Sequence, residues 1–185
     1  MPLNIIGWWL SLRLRTEIPV IMMGETGCGK TSLIKIIAEL KDIPIFTFNI
    51  HAGIEDSDII EFMEKKELFN NVNKKDDLVL VFFDEINTYN SLGLLAEILL
   101  KHSWKGRIIR KNVKFIAACN PYRLYTQKAE IIGLYNEAKH KIRNLVYNVN
   151  PLPVPLLNFV FDFKTPEKED IKRYISSILL NILKK

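Results

Sequence analysis

Residues 24–31 read GETGCGKT, and this octet limits the fold more than any other part of the chain. It fits the pattern G-x-x-x-x-G-K-[ST] and follows the apolar run IPVIMM that begins at Ile18. After Lys30 the apolar residues switch to helical spacing at Leu33, Ile36, Ile37 and Leu40. A strand that turns through a glycine loop into a helix aims successive backbone N–H groups, together with the helix N-terminus, at an anion. Gly24, Gly27 and Gly29 let the backbone make that turn. The candidate phosphate-binding segment is Gly24, Glu25, Thr26, Gly27, Cys28, Gly29, Lys30, Thr31 and Ser32. In it, Lys30 is placed to neutralise β- and γ-phosphates and Thr31 to offer its hydroxyl to Mg²⁺.

The remaining periodicities extend this start into an α/β pattern. IPIFTFNI predicts a second strand over 43–50, and residues 56–67 predict a helix with Ile59, Ile60 and Met63 inward. The polar run from Asn70 to Asp77 reads as a surface loop. LVLVFF, Leu78 to Phe83, is apolar at every position, as expected of a parallel strand covered on both faces. A helix over 92–101, a basic connector, a fourth strand VKFIAAC from Val113 and a fifth, LVYNV, from Leu145 complete the core. The predicted fold is a five-stranded parallel sheet with helices on both faces. Past the turn at Pro151, Thr165, Pro166 and Glu167 supply an N-cap hydroxyl, a first-turn proline and an acidic residue for a last helix. That helix carries an apolar stripe from Ile171 to Leu183.

Two more strand ends carry chemistry. Asp84 and Glu85 close the all-apolar third strand, at the carboxyl edge where open α/β sheets hold ligands. Asp84 is placed to hold Mg²⁺, and Glu85 to orient and deprotonate a water attacking the γ-phosphate. The fourth strand ends in Cys119-Asn120-Pro121, where the Asn120 amide either reaches the γ-phosphate and its water or serves as a turn residue before proline. Asn87 and His51 lie at comparable strand ends, His51 reading equally well as a turn residue bonded to backbone. Arg143, just before the predicted fifth strand, is the candidate arginine for a neighbouring subunit's nucleotide, while Arg107, Arg110 and Arg123 read as surface or substrate-facing.

Composition narrows the partners. The chain has 185 residues, 48% of them hydrophobic and 25% charged, enough for one core plus a fragment. A net charge of +5 suits an anionic partner but is dispersed, so the segment from Trp104 to Lys114 reads as a solvated connector rather than a specific nucleic-acid surface. Two cysteines, Cys28 and Cys119, imply neither a disulfide framework nor a zinc site, which suits a reducing, cytoplasmic setting. LNIIGWWLSL, Leu3 to Leu12, lacks a preceding basic leader and falls short of the roughly 20 residues a membrane helix needs. It is expected to be a packed or partner-covered helix, not a membrane contact.

Together GETGCGKT, VFFDEIN and FIAACNPYRL resemble the Walker A, Walker B and sensor 1 segments of an AAA+ ATPase. FNIHAGIEDSDI, FFDEINTYNSLGLLAEIL and LVYNVNPLPVPLLNFVFDF are similar, more narrowly, to the AAA+ unit of the mysterin family of giant ring-finger ubiquitin ligases. The resemblance runs from about Arg13 to Phe163. It implies ATP and Mg²⁺ as cofactors, with roles for Lys30, Thr31, Asp84, Glu85 and Asn120. It implies as partners neighbouring AAA+ modules, in cis or in an oligomer, with ubiquitin-pathway partners only through a longer parent. The expected division is an extension over 1–17, an ATPase core over 18–163 and the first helix of an incomplete lid over 164–185. Two other readings stand beside hydrolysis: a nucleotide-gated assembly module that binds ATP with little turnover, and a small P-loop nucleotide kinase.

Overall fold

A computed structural model describes residues 18–69, 77–122 and 149–163, with isolated positions at 13, 16, 169, 172 and 176. In chain order these form β1 (Val20–Met23), α1 (Lys30–Leu40), β2 (Ile45–Asn49), α2 (Asp56–Lys65), β3 (Val79–Asp84) and a 3₁₀ turn (Ile86–Thr88). There follow α3 (Leu92–Lys101), the short strands β4 (Ser103–Trp104) and β5 (Arg107–Ile108), β6 (Val113–Cys119), α4 (Val154–Leu157) and β7 (Val160–Asp162).

Five strands make one sheet in the order β2-β3-β6-β1-β7, and every pairing is parallel. β1 therefore lies inside the sheet, with Met23 in register with Cys119 on one side and Asp162 on the other. The loop after β1 emerges beside the carboxyl ends of β6 and β7, the kind of strand-order reversal that opens a ligand crevice.

The all-apolar strands have the physical role their composition predicts. Along β3, Leu80 and Phe82 point into one core with Val20, Met22, Leu33, Ile34 and Ile37, so α1 covers that face. Val81 and Phe83 point into the other core, with Ile59, Met63, Leu95, Ile98 and Leu99 of α2 and α3. Because successive strand side chains face opposite ways, a strand covered twice needs apolar residues at both parities. Each such side chain contributes about 1.5–3 kcal/mol on full burial. α2 is closed at its N-terminus by a reciprocal Glu55–Asp58 capping box, in which the Glu55 N–H donates to Asp58 Oδ2 at 2.8 Å.

Three details differ from the sequence reading. The fifth strand of the sheet is β7, Val160–Asp162, whereas the strand expected from Leu145 falls mostly on residues outside those described. On α1 the buried stripe is Lys30, Leu33, Ile34, Ile37 and Ala38, so Ile36 and Leu40 face outward, 51% and 81% exposed. The basic connector contains an antiparallel hairpin, β4–β5, turned by Gly106 at φ +79°. Arg107 pins that hairpin down with an ion pair to Glu64 and its guanidinium 4.0 Å from the Phe69 ring centre.

Candidate functional site

β1 delivers Gly24 to the crevice, where its N–H donates to the Cys119 carbonyl at 3.2 Å. A side chain here would collide with its surroundings: a Cβ on Gly24 would lie 2.8 Å from Cys28 Sγ and 2.9 Å from Phe163 Cβ. At Gly29 the need is conformational instead, since its φ of +90° is costly for any L side chain although the space around it is open. Gly29 is the N-cap of α1, and no side chain caps that helix. Unlike α2, α1 thus presents its first N–H groups and the positive end of its dipole to the crevice.

Lys30 is buried, and its Nζ donates to the Gly24 carbonyl at 2.6 Å and the Glu25 carbonyl at 3.1 Å. Its third contact is Cys28 Sγ at 3.8 Å. An ammonium has three donors and a thiol is a weak acceptor, so an arriving anion competes with sulfur rather than with a carbonyl. Thr31, next on the helix, donates from Oγ1 to Asp84 Oδ2 at 2.9 Å, joining the loop to the end of β3. Asp84 Oδ1 accepts the Glu85 N–H at 3.0 Å.

Glu85 takes the left-handed conformation, φ 57° and ψ 38°, unusual for a side-chain-bearing residue. That turn takes the chain sharply out of β3 and leaves Glu85 exposed at the crevice. Thr88 braces it, its hydroxyl lying 2.9 Å from the Glu85 carbonyl and 3.2 Å from the Ile50 carbonyl. Asn120 follows β6, whose pairing with β3 puts the two strand ends side by side. The resulting cleft, about 210 Å³, is lined by Thr26, Gly27, Gly29, Lys30, Thr31, Ser32, Asp84, Glu85, Cys119 and Asn120.

Nine of these ten lining residues are ones the sequence reading named as site residues; the tenth, Cys119, known only as part of the strand end, was not foreseen as a site feature. Burial pushes the Cys119 thiol up to about 12, with Lys30 opposing and Asp162 reinforcing that shift, so the wall it provides is a neutral thiol. Gly24, Glu25 and Cys28 build the loop without lining the cleft, and Arg143 lies outside the described residues. His51 is exposed and its Nδ1 accepts the Gly53 N–H at 3.3 Å, which matches the turn reading rather than a place at the cleft. Sequence reasoning also left Asn87 without a role. It is 1% exposed, donates from Nδ2 to the Asn120 carbonyl at 2.7 Å and accepts the Asn120 N–H at 3.2 Å.

The arrangement places a cationic, N–H-rich pocket, of a kind that suits an anion, on one side and oxygen donors on the other. Thr31 and Asp84 fit Mg²⁺, a hard cation that takes one or two protein oxygens and fills its shell with water and phosphate oxygens. Among the described residues no helix is long and apolar enough to cross a membrane.

The chain is similar to known proteins. Residues 4–123 match the family model of the RNF213 AAA domain. The chain is 36% identical to the E3 ubiquitin-protein ligase rnf213-beta of Danio rerio over 92% of its length, and 32% identical to human RNF213 over 94%. It spans about 4% of the length of either relative. Its fold is similar to the crystal structure of a proposed ATPase from Cytophaga hutchinsonii, with a TM-score of 0.56 at 15% identity, covering 95% of this chain and 50% of that one. By sequence and by fold, this chain belongs to the RNF213, or mysterin, AAA-domain family and is an AAA+ ATPase module.

Proposed function

We propose that the cleft binds Mg-ATP and hydrolyses its γ-phosphate bond, as one module of a larger mechanochemical protein. The observation that carries this reading is the 2.9 Å bond from Thr31 Oγ1 to Asp84 Oδ2, with Lys30 and Glu85 in the same cleft. A loop that only held an anion would not need a carboxylate pair on the facing strand. Lys30 and the uncapped start of α1 bind and orient the phosphates. Mg²⁺ held by Thr31 and Asp84 would neutralise charge on the β- and γ-phosphate oxygens. Glu85 accepts the proton of the attacking water, and the Asn120 side chain orients that water or the γ-phosphate. Catalysis here is positioning and electrostatics, which explains why the participating groups sit on strand ends and a helix start instead of on long loops.

Neighbouring AAA+ modules, in cis or in an oligomer, are the partners this reading assigns, with Arg143 as the residue acting on a neighbour's nucleotide. Ubiquitin transfer, named for the relatives, would belong to a longer parent in a reducing, cytoplasmic setting. The test is nucleotide binding by wild type and Lys30→Ala. Loss of ATP affinity of tenfold or more in the variant supports the phosphate-loop reading, and unchanged affinity overturns it.

A further inference from the structure

We propose that Asn87 is a positioning residue for this site, setting Asn120 against Glu85 through one buried amide pair. The inference rests on the hydrolytic reading above and adds a residue to it. Asn87 lies two residues beyond Glu85, inside the 3₁₀ turn that follows β3. Its carboxamide bonds in both senses to the backbone of one residue: Nδ2 donates to the Asn120 carbonyl at 2.7 Å and Oδ1 accepts the Asn120 N–H at 3.2 Å. These hold the Asn120 backbone, leaving its side chain free to line the cleft. Asn87 itself does not line it.

The burial gives this pair its leverage. Asn87 is 1% exposed and Asn120 8%, so water does not replace either bond cheaply, and an unpaired buried amide is costly. β3 and β6 are in register only as far as Phe83 and Ala117, so the sheet ladder ends before it reaches Glu85 and Asn120. Beyond that point the Asn87 carboxamide continues the cross-strand bonding with a side chain.

The same turn is tied from a second direction. The Asn87 carbonyl accepts the Asn150 N–H at 2.6 Å, and Asn150 Nδ2 donates to the Tyr89 carbonyl at 3.0 Å. Asn150 leads into α4 and β7, and Phe163, just after β7, packs within 2.9 Å of where a Gly24 Cβ would stand. One turn therefore fastens the glutamate, the asparagine and the chain that closes on the phosphate loop. A residue with only a packing role would not need hydrogen bonds in both senses to the backbone of a cleft residue.

The experiment uses the 185-residue chain with Asn87→Leu, which keeps the side chain's size and branching but neither bond. Affinities for Mg-ADP and for Mg-ADP with aluminium fluoride, a mimic of the transferring phosphoryl group, are measured beside phosphate release. The expected result is at least a tenfold loss of affinity for the mimic and of kcat, with Mg-ADP affinity within threefold of wild type. A double variant with Asn120→Ala should be no worse than the poorer single variant, because Asn87 acts through Asn120. Equal losses for ADP and for the mimic, or additive effects in the double variant, overturn the proposal in favour of simple packing. Should Asn87→Leu not fold, Asn87→Ala, which also removes both bonds, is judged by the same ratio. A wild type that neither prefers the mimic over ADP nor releases phosphate overturns the hydrolytic reading, and this inference with it. A wild type that does both beside an unaffected Asn87→Leu overturns the inference alone.

Discussion

Replacing Thr31 by valine separates the two jobs assigned to its hydroxyl. Valine keeps the β-branched shape on α1, so the backbone and the packing of that helix change little. The lost bond, Oγ1 to Asp84 Oδ2 at 2.9 Å, has a charged acceptor. Such bonds contribute about 1.5–3 kcal/mol, and the only partly buried setting of both residues brings this one down to about 1 kcal/mol. Without nucleotide the variant should therefore melt only slightly below wild type. With nucleotide the loss is of another kind, because an oxygen donor to Mg²⁺ has gone while Lys30 and the N–H groups of the loop remain. Titration with a fluorescent ATP analogue should give equal affinities for both proteins in EDTA. On adding Mg²⁺, the gain in affinity should be at least tenfold smaller for Thr31→Val, which corresponds to about 1.4 kcal/mol. A variant with the full Mg²⁺-dependent gain would refute the reasoning and make the Thr31–Asp84 bond a fastening only. An equal loss in EDTA would place the effect in the loop's fold.

Gly29→Ala should cost about 1 kcal/mol of stability in a denaturant titration, since a φ of +90° penalises an L side chain while nothing lies within 4 Å of the added methyl; a variant as stable as wild type would contradict that. Cys119 makes stability depend on pH in a definite sense. Its thiol is raised from the ordinary 9.0 to about 12 in the folded protein, chiefly by burial. The unfolded chain therefore gives up this proton first, and the stabilisation present below pH 9 is lost as pH rises from 9 towards 12. Urea midpoints at pH 8 and pH 10.5 should fall more for wild type than for Cys119→Ala, and parallel falls would refute the assignment.

The parts of the fold that were legible share one property, a strong pattern over a short span. Strands covered on both faces announce themselves by apolar residues at both parities, as in β3 and β6, and the phosphate loop by glycines that geometry requires. β7 was not legible, because three residues after a proline-rich turn hold no periodicity, whereas LVYNV has the β-branched look of a strand. The outward Ile36 and Leu40 show a limit of counting alone: two overlapping stripes fit the same helix, and only the position of the sheet chose between them. The cleft residues other than Cys119 were readable one by one because the loop and strand-end motifs call for particular side chains. Asn87 was not, since its role comes from facing the Asn120 backbone across a strand pairing that local sequence does not encode. A polar residue within the apolar, tightly turned segment after Glu85 was the available signal.

The central claim, that this cleft hydrolyses Mg-ATP with Glu85 as the base, is tested most directly by phosphate release from wild type and Glu85→Gln at saturating Mg-ATP. Glu85 is exposed and its backbone geometry does not depend on its charge, so the glutamine variant should fold and bind ATP as wild type does. Removal of a general base costs about 10²–10⁴ in rate, so release should fall at least a hundredfold with affinity unchanged. Equal rates in the two proteins would contradict the claim, as would a wild type that binds Mg-ATP and releases no phosphate.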